Sequence, residues 1–389
     1  MSKLRINVGI QAASSLQMVG FGLIGIIPAV IAHYAGFDET TVQTAFSIPM
    51  LMGVPATLIT GWISPKIGKR IPLLIGIALV FLIGTIPAIS DISFSMFVTV
   101  MAFIGVGAGC IAATATGLIA DHFEGHERSN VMGLQSTFTN AGGMLIAFMG
   151  GLLIETGNWR NAFFIYLYAI PIFIVAMICI PKEKKTASAE NAKPEGKVKL
   201  NRDVLVLCSM ILCIGFVVGI ANTNAALLVE ERGLGSPAVA NYAASWMRMI
   251  GIVVGILFGL FAKALKRFLL PTSFLVFSMG LLIIAYSNSL AIFYFGHIVA
   301  GAGISVAMPA GLARSAQSAG PASATFAISM FLSSNSLAMF FSPMIINPVS
   351  RAIADGTAQS RFIIGAIVAA MICFIAFLYF RLEKIHQKV

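Results

Sequence analysis

Residues 203–228 read DVLVLCSMILCIGFVVGIANTNAALL, and after Asp203 no charged side chain interrupts them. A hydrocarbon core about 30 Å thick is crossed by roughly 20 apolar residues of helix, whose backbone polar groups must be satisfied within the segment. This stretch is therefore expected to be one membrane-spanning helix. Working outward, the same reading gives twelve such spans, at 6–32, 41–63, 70–90, 94–119, 129–154, 161–180, 203–228, 241–262, 269–287, 290–313, 322–347 and 361–380. The expected fold class is an all-α membrane protein. A cleaved leader is the competing reading of residues 1–35, because Ala29 to Ala35 offers small residues. The apolar run is long for a leader, and it is read as the first span.

Composition points the same way. The 389 residues are 58% hydrophobic and 10% charged, whereas soluble domains carry about 25% charged residues. Too few charges remain to coat a soluble exterior. With twelve spans the loops alternate sides, and 20 of the 25 Lys and Arg residues fall on one side. The other side has Arg160, Arg232, Arg351 and Arg361, which leaves Arg248 as the basic residue inside a span. Loops rich in Lys and Arg stay cytoplasmic, so both termini are expected there, in a multi-pass protein of the cytoplasmic (inner or plasma) membrane. The net charge of +10 is explained by that placement, so no nucleic-acid partner is expected. Cys110, Cys179, Cys208, Cys213 and Cys373 lie in apolar runs without CxxC or metal spacing, and they read as packing residues.

The longest loop on the basic side, PKEKKTASAENAKPEGKVKLNR from Pro181 to Arg202, has no apolar period and reads as a flexible linker. The expected organisation is a six-helix bundle at 1–180, a cytoplasmic linker at 181–202 and a second six-helix bundle at 203–389. An internal repeat supports it. Gly61 to Arg70 reads GWISPKIGKR and Gly259 to Arg267 reads GLFAKALKR, offset by 198. Gly105, Gly107 and Gly109 of span four have counterparts in Gly301 and Gly303 of span ten, and Asn140 in STFTNAGGM has one in Asn335 of MFLSSNSLAMF.

These motifs resemble the major facilitator superfamily over essentially the whole chain. GWISPKIGKR is similar to that family's loop between spans two and three, with Gly61, Gly68, Lys69 and Arg70 in matching places and Pro65 where the family has an acid. LIADHFEGHERSNVMGL (Leu118 to Leu134), with Asp121, Glu127 and Arg128, resembles the loop after span four, and NWRNAFFIY (Asn158 to Tyr166) resembles the start of span six. The resemblance implies two bundles of inverted repeats, alternating access, and a gating role for Gly61, Lys66, Gly68, Lys69, Arg70, Asp121 and Arg128. Independently of the family, Gly61 and Gly68 are expected to permit close approach and tight turning, and Lys66, Lys69 and Arg70 to anchor at the interface and meet helix C-termini. Met101 stands where proton-coupled antiporters carry an Arg, and Gly142, Gly143, Gly150 and Gly151 lack the Pro of the drug-antiporter pattern. Both departures speak against drug–proton antiport.

Ionisable groups inside a span are costly and suggest function. Arg248, in NYAASWMRMIGIVVG, lies about 10 Å from the near end of span eight at 1.5 Å per residue. An always-charged planar guanidinium suits a carboxylate, and a snorkelling structural Arg is the alternative. An Arg in span eight also resembles carboxylate carriers of the superfamily, which pair it with a Lys in another span. Here Ser333, Ser334 and Asn335 occupy the middle of span eleven instead, and one positive charge favours a monoanion. His297, Asn222, Asn224, Asn140, Asn335 and Gln17 complete the candidate substrate-binding set. For each of them, packing within the bundle is the alternative. Tyr242 and Trp246 read as interface-belt residues. No HExxH, GxSxG or GxxxxGK[ST] pattern occurs, so neither an enzyme nor a cofactor or metal is expected.

The expected function is secondary active transport of a small organic monoanion by alternating access, in symport with a proton or sodium ion, by a monomer in the lipid bilayer. Efflux of drugs or other lipophilic or neutral polar compounds is the alternative, and a transporter-derived sensor is a third.

Overall fold

The computed structural model describes residues 3–181, 202–319 and 323–386, and all its regular elements there are helices. The linker read at 181–202 lies, apart from Pro181 and Arg202, outside the described residues. Eleven stretches are long and apolar enough to cross a bilayer. One of them, Ala238–Ala285, is 48 residues long, about twice what one crossing needs. It consists of two helices, Ala238–Leu265 and Leu269–Ala285, separated by a short turn in which Lys266 takes φ 49°. Counted as two crossings, it completes the twelve expected.

Large apolar side chains at the surface fit a hydrocarbon solvent. Ile256, Trp62 and Phe374 are among many that would be anomalous on a soluble protein. Packing divides the chain into two compact units. One holds the spans before the linker together with Ala240–Ser245, and the other holds the remaining spans. In the first unit Phe97, Ile104, Phe163, Leu73, Ile77 and Ile10 belong to one continuous buried cluster.

The glycine repeat recurs as packing within each unit. A Cβ on Gly105 would lie 2.5 Å from the Pro49 carbonyl of span two, and one on Gly107 would lie 2.7 Å from the Gly76 carbonyl of span three. In the second unit a Cβ on Gly301 would lie 2.5 Å from the Met247 carbonyl of span eight, and one on Gly303 would lie 2.7 Å from the Ser273 carbonyl of span nine. Backbones approach this closely only where no side chain intervenes.

Three sequence readings need correction. Span one is not a single α-helix: Lys3–Ser14 gives way to turns, then to a 3₁₀ stretch Val19–Ile26, before Ile27–His33 resumes. Span six likewise opens with a 3₁₀ stretch, Trp159–Tyr168. Span twelve begins earlier than 361, at Ala358, because the Glu231 carboxylate of span seven accepts from the Ala358 N–H at 2.7 Å and thereby caps it. Arg361 is thus buried inside the helix rather than in a loop.

Span two, Glu39–Ile67, starts on a local cap: Asp38 accepts from the Thr40 and Thr41 N–H groups and from the Thr41 hydroxyl. The Thr41 hydroxyl bond, helped by the two N–H groups against a smaller opposing effect of burial, holds the Asp38 carboxyl below the usual carboxylate range. Such a cap is worth about 0.5–2 kcal/mol. Its carboxylate contribution is present above the unfolded pKa and is lost as pH falls through the lower folded value. Asp38→Ala is expected to lower thermal stability in detergent at pH 7, and the gap to the parent should narrow as the pH drops below 4 (roughly the unfolded Asp value).

Candidate functional site

In the first unit the loop after span two is held by its own charges. Gly68 ends the helix at φ 83°, a conformation glycine adopts without strain. The chain then turns so that the Lys69 ammonium donates to the Gly117 carbonyl at 2.8 Å and pairs with Asp121. Arg70 donates to the Met177 carbonyl at 2.6 Å. The Met177 carbonyl sits in the last turn of its helix, where a cation also meets the negative end of the dipole, while Gly117 lies more than a turn before the end of span four at His122. Lys66 lies over the exposed Trp62 ring at 3.8 Å. Arg128 is exposed, while its neighbour Glu127 pairs with Lys3 at 2.6 Å. Gly61 departs from expectation: a Cβ there would meet nothing within 4 Å, so it mediates no close approach. Its position in the motif could not separate a surface glycine from a packed one.

Gln17 sits just past the end of the first α-helical segment. Its Oε1 accepts from Thr139 Oγ1 at 3.4 Å, and Thr139 also donates to the Ser14 carbonyl at 3.3 Å. Thr139, which the sequence reading passed over, therefore joins span one to span five beside Asn140. The Asn140 amide itself turns back to the Ser136 carbonyl of its own helix at 3.0 Å. Gln17 Nε2 is buried without a hydrogen-bond partner.

In the second unit Arg248 is 8% exposed, well inside Ala238–Leu265. Asn241, Ser245 and Arg248 fall at i, i+4 and i+7, one face of the helix. Asn224, proposed for substrate, has a structural partner: its Oδ1 accepts from Arg361 at 2.8 Å, and Arg361 also donates to the Gly356 carbonyl at 2.8 Å. Its Nδ2 donates to the Ile220 carbonyl at 3.2 Å. His297 is buried, with Nδ1 at 2.9 Å from the Phe293 carbonyl and its ring centroid 4.4 Å from that of Phe293. This is the geometry of a packed histidine. Asn222 Nδ2 and Asn335 Oδ1 are buried without partners, and the Asn335 amide nitrogen reaches only the Met339 sulfur at 3.5 Å.

Missed altogether was Asn241, which is fully buried and packs with the first unit. Its carboxamide Oδ1 accepts from the Gly25 N–H at 2.6 Å, and its Nδ2 donates to the Gly22 and Ala147 carbonyls at 2.6 and 3.2 Å. The signal was available: it heads the polar stripe that ends in Arg248.

Comparison with known proteins now bears on identity. The description of the Major Facilitator Superfamily matches residues 12–268, more than half of the chain. The multidrug resistance protein MdtL of Citrobacter koseri is 24% identical over 321 residues, 77% of this chain and 80% of MdtL. The quinolone resistance protein NorA of Staphylococcus aureus is 26% identical over 208 residues, 51% of this chain and 53% of NorA. Among solved structures, the nucleoside transporter NupG superposes with a TM-score of 0.78 at 12% identity, covering 96% of this chain and 99% of its own. A bacterial homologue of the human drug peptide transporters PepT1 and PepT2 gives 0.76 at 13% identity, covering 99% of each chain. At such identities the two structures share the fold and no more. Spans, motifs, repeat and relatives converge: the chain belongs to the Major Facilitator Superfamily, as a multi-pass membrane transporter of small molecules and not an enzyme.

Proposed function

We propose that this transporter carries a small organic monoanion across the cytoplasmic membrane by alternating access, with both termini cytoplasmic and a proton or sodium ion as the coupled species. The observation that carries this reading is Arg248, a guanidinium 8% exposed in the interior of a span. An always-charged guanidinium in a span can hold a carboxylate through two parallel hydrogen bonds, and charges kept inside spans usually mark a solute or ion path. In the same unit Asn222 Nδ2 and Asn335 Oδ1 are buried polar atoms with no partner, a state that a polar solute would relieve. In the first unit Gln17 Nε2 is of the same kind. Asn224 and His297 are assigned to the scaffold, given the partners they already hold.

Uptake into proteoliposomes tests the reading, with labelled monocarboxylates, dicarboxylates, nucleosides and lipophilic cations offered in parallel. Monocarboxylate uptake that the other classes do not inhibit is expected. Transport of lipophilic cations instead would overturn it.

Efflux of lipophilic compounds is the second reading, favoured by the names that MdtL and NorA carry. It predicts raised drug tolerance in a pump-deficient host. Against it stands the absence of any Asp or Glu from the middle of a span, where a counter-charge for cationic drugs would be needed.

A further inference from the structure

The 3₁₀ stretch of span one is, like the one that opens span six, unusually long. Such helices seldom run beyond three or four residues, because their hydrogen bonds are poorly aligned, and in the middle of a helix they mark strain or a hinge. Here Val19–Ile26 runs for eight residues. The i→i−3 bonding begins before it, with Leu16 N–H to the Ala13 carbonyl and Gln17 N–H to the Ser14 carbonyl, both at 3.1 Å. Gly20, Gly22 and Gly25 impose little local preference on this segment, so something else must select the tighter winding.

At this segment the Asn241 carboxamide is seated. The Gly22 carbonyl and the Gly25 N–H are the acceptor and donor of one i→i−3 rung, and the Asn241 carboxamide bonds both at 2.6 Å. It acts as an extra peptide group set into the ladder. Its seat is cut to size: a Cβ on Gly150 would collide with the Gly22 carbonyl and lie 2.6 Å from Asn241 Nδ2. One turn on, Ser245 Oγ donates to the Met144 carbonyl at 3.2 Å, and the Tyr242 ring lies against Gly151 and Phe148. The whole segment Ala240–Ser245 therefore packs within the first unit.

We infer that Val19–Ile26 is a two-state segment, 3₁₀ while the Asn241 carboxamide is seated and α-helical when it withdraws, so that Asn241 switches the length of span one during transport. An α-helix rises 1.5 Å per residue and a 3₁₀ helix 2.0 Å, so eight residues shorten by about 4 Å on conversion. The winding changes from about 120° to 100° per residue, which turns everything on the Ser14 side of the segment, Gln17 included, by roughly 160° about the axis. The inference stands whichever solute is carried.

The test uses the full chain in lipid nanodiscs, with its five cysteines replaced and spin labels at Leu4→Cys and Gly36→Cys, two exposed positions flanking span one. The parent is expected to show a main distance and the Asn241→Ala variant a population about 4 Å shorter, the conversion length derived above. Gly150→Ala, which crowds the seat from span five and leaves Asn241 in the sequence, should give the same shift. Folded variants whose distances match the parent would overturn the inference. So would failure of both variants to fold, since a side chain that detaches in every cycle must be dispensable for folding.

Discussion

Arg248→Ala is expected to raise the half-saturation concentration for monoanion uptake by about 10- to 150-fold, because a hydrogen bond to a charged group contributes about 1.5–3 kcal/mol and each 1.4 kcal/mol is a factor of ten. Arg248→Lys should fall between the two, since an ammonium keeps the charge and loses the planar fork. Arg248→Lys also separates a loss of charge from a loss of the planar fork, because only the fork holds a carboxylate bidentately. Arg361 supplies the contrast. Its guanidinium holds Asn224 Oδ1 and the Gly356 carbonyl, and Arg361→Met removes the donor from the buried Asn224 oxygen, which costs about 1–3 kcal/mol. Arg361 is thus expected to act on stability, and Arg248 is tested through uptake. Unchanged uptake in Arg248→Ala would remove the anion reading and leave efflux in its place.

The same two arginines show where sequence reasoning works in this protein and where it stops. Span number and family were legible because hydrocarbon thickness fixes how long an apolar run must be, and that constraint acts locally on every helix. Arg248 was legible for the same reason: a charge in the interior of a span stands out in one dimension. Arg361 was not, because the group that lengthens its helix, Glu231, and the group that binds its guanidinium, Asn224, lie more than a hundred residues away. The break in span one had a similar cause. Gly22 and Gly25 allow several windings, and the residue seated on them is Asn241, 216 positions from Gly25. Asn224 read as a candidate ligand because an amide within a span is unusual. Only its contacts show that the amide serves another side chain.

Glycines follow that division, and they give the largest expected effect on folding. Gly105→Leu is expected to yield no monodisperse protein after detergent extraction, and Gly105→Ala to lower stability by about 1–3 kcal/mol, the usual cost of overpacking. The new Cβ would lie 2.5 Å from the Pro49 carbonyl oxygen and 2.6 Å from Pro49 Cα. Both are backbone atoms in a helix, so no rotamer change can clear them, and spans two and four would have to separate along the crossing that Gly109 and Gly53 continue. Gly61→Ala provides the comparison in the same span pair. Nothing lies within 4 Å of its Cβ, and Ala is the better helix former by about 1 kcal/mol, so this variant should be as stable as the parent or more so. Equal losses at the two positions would mean that glycine acts here through chain flexibility rather than through the approach of two backbones. In that case the matching contacts of Gly301 and Gly303 with spans eight and nine would lose their standing as the structural form of the repeat.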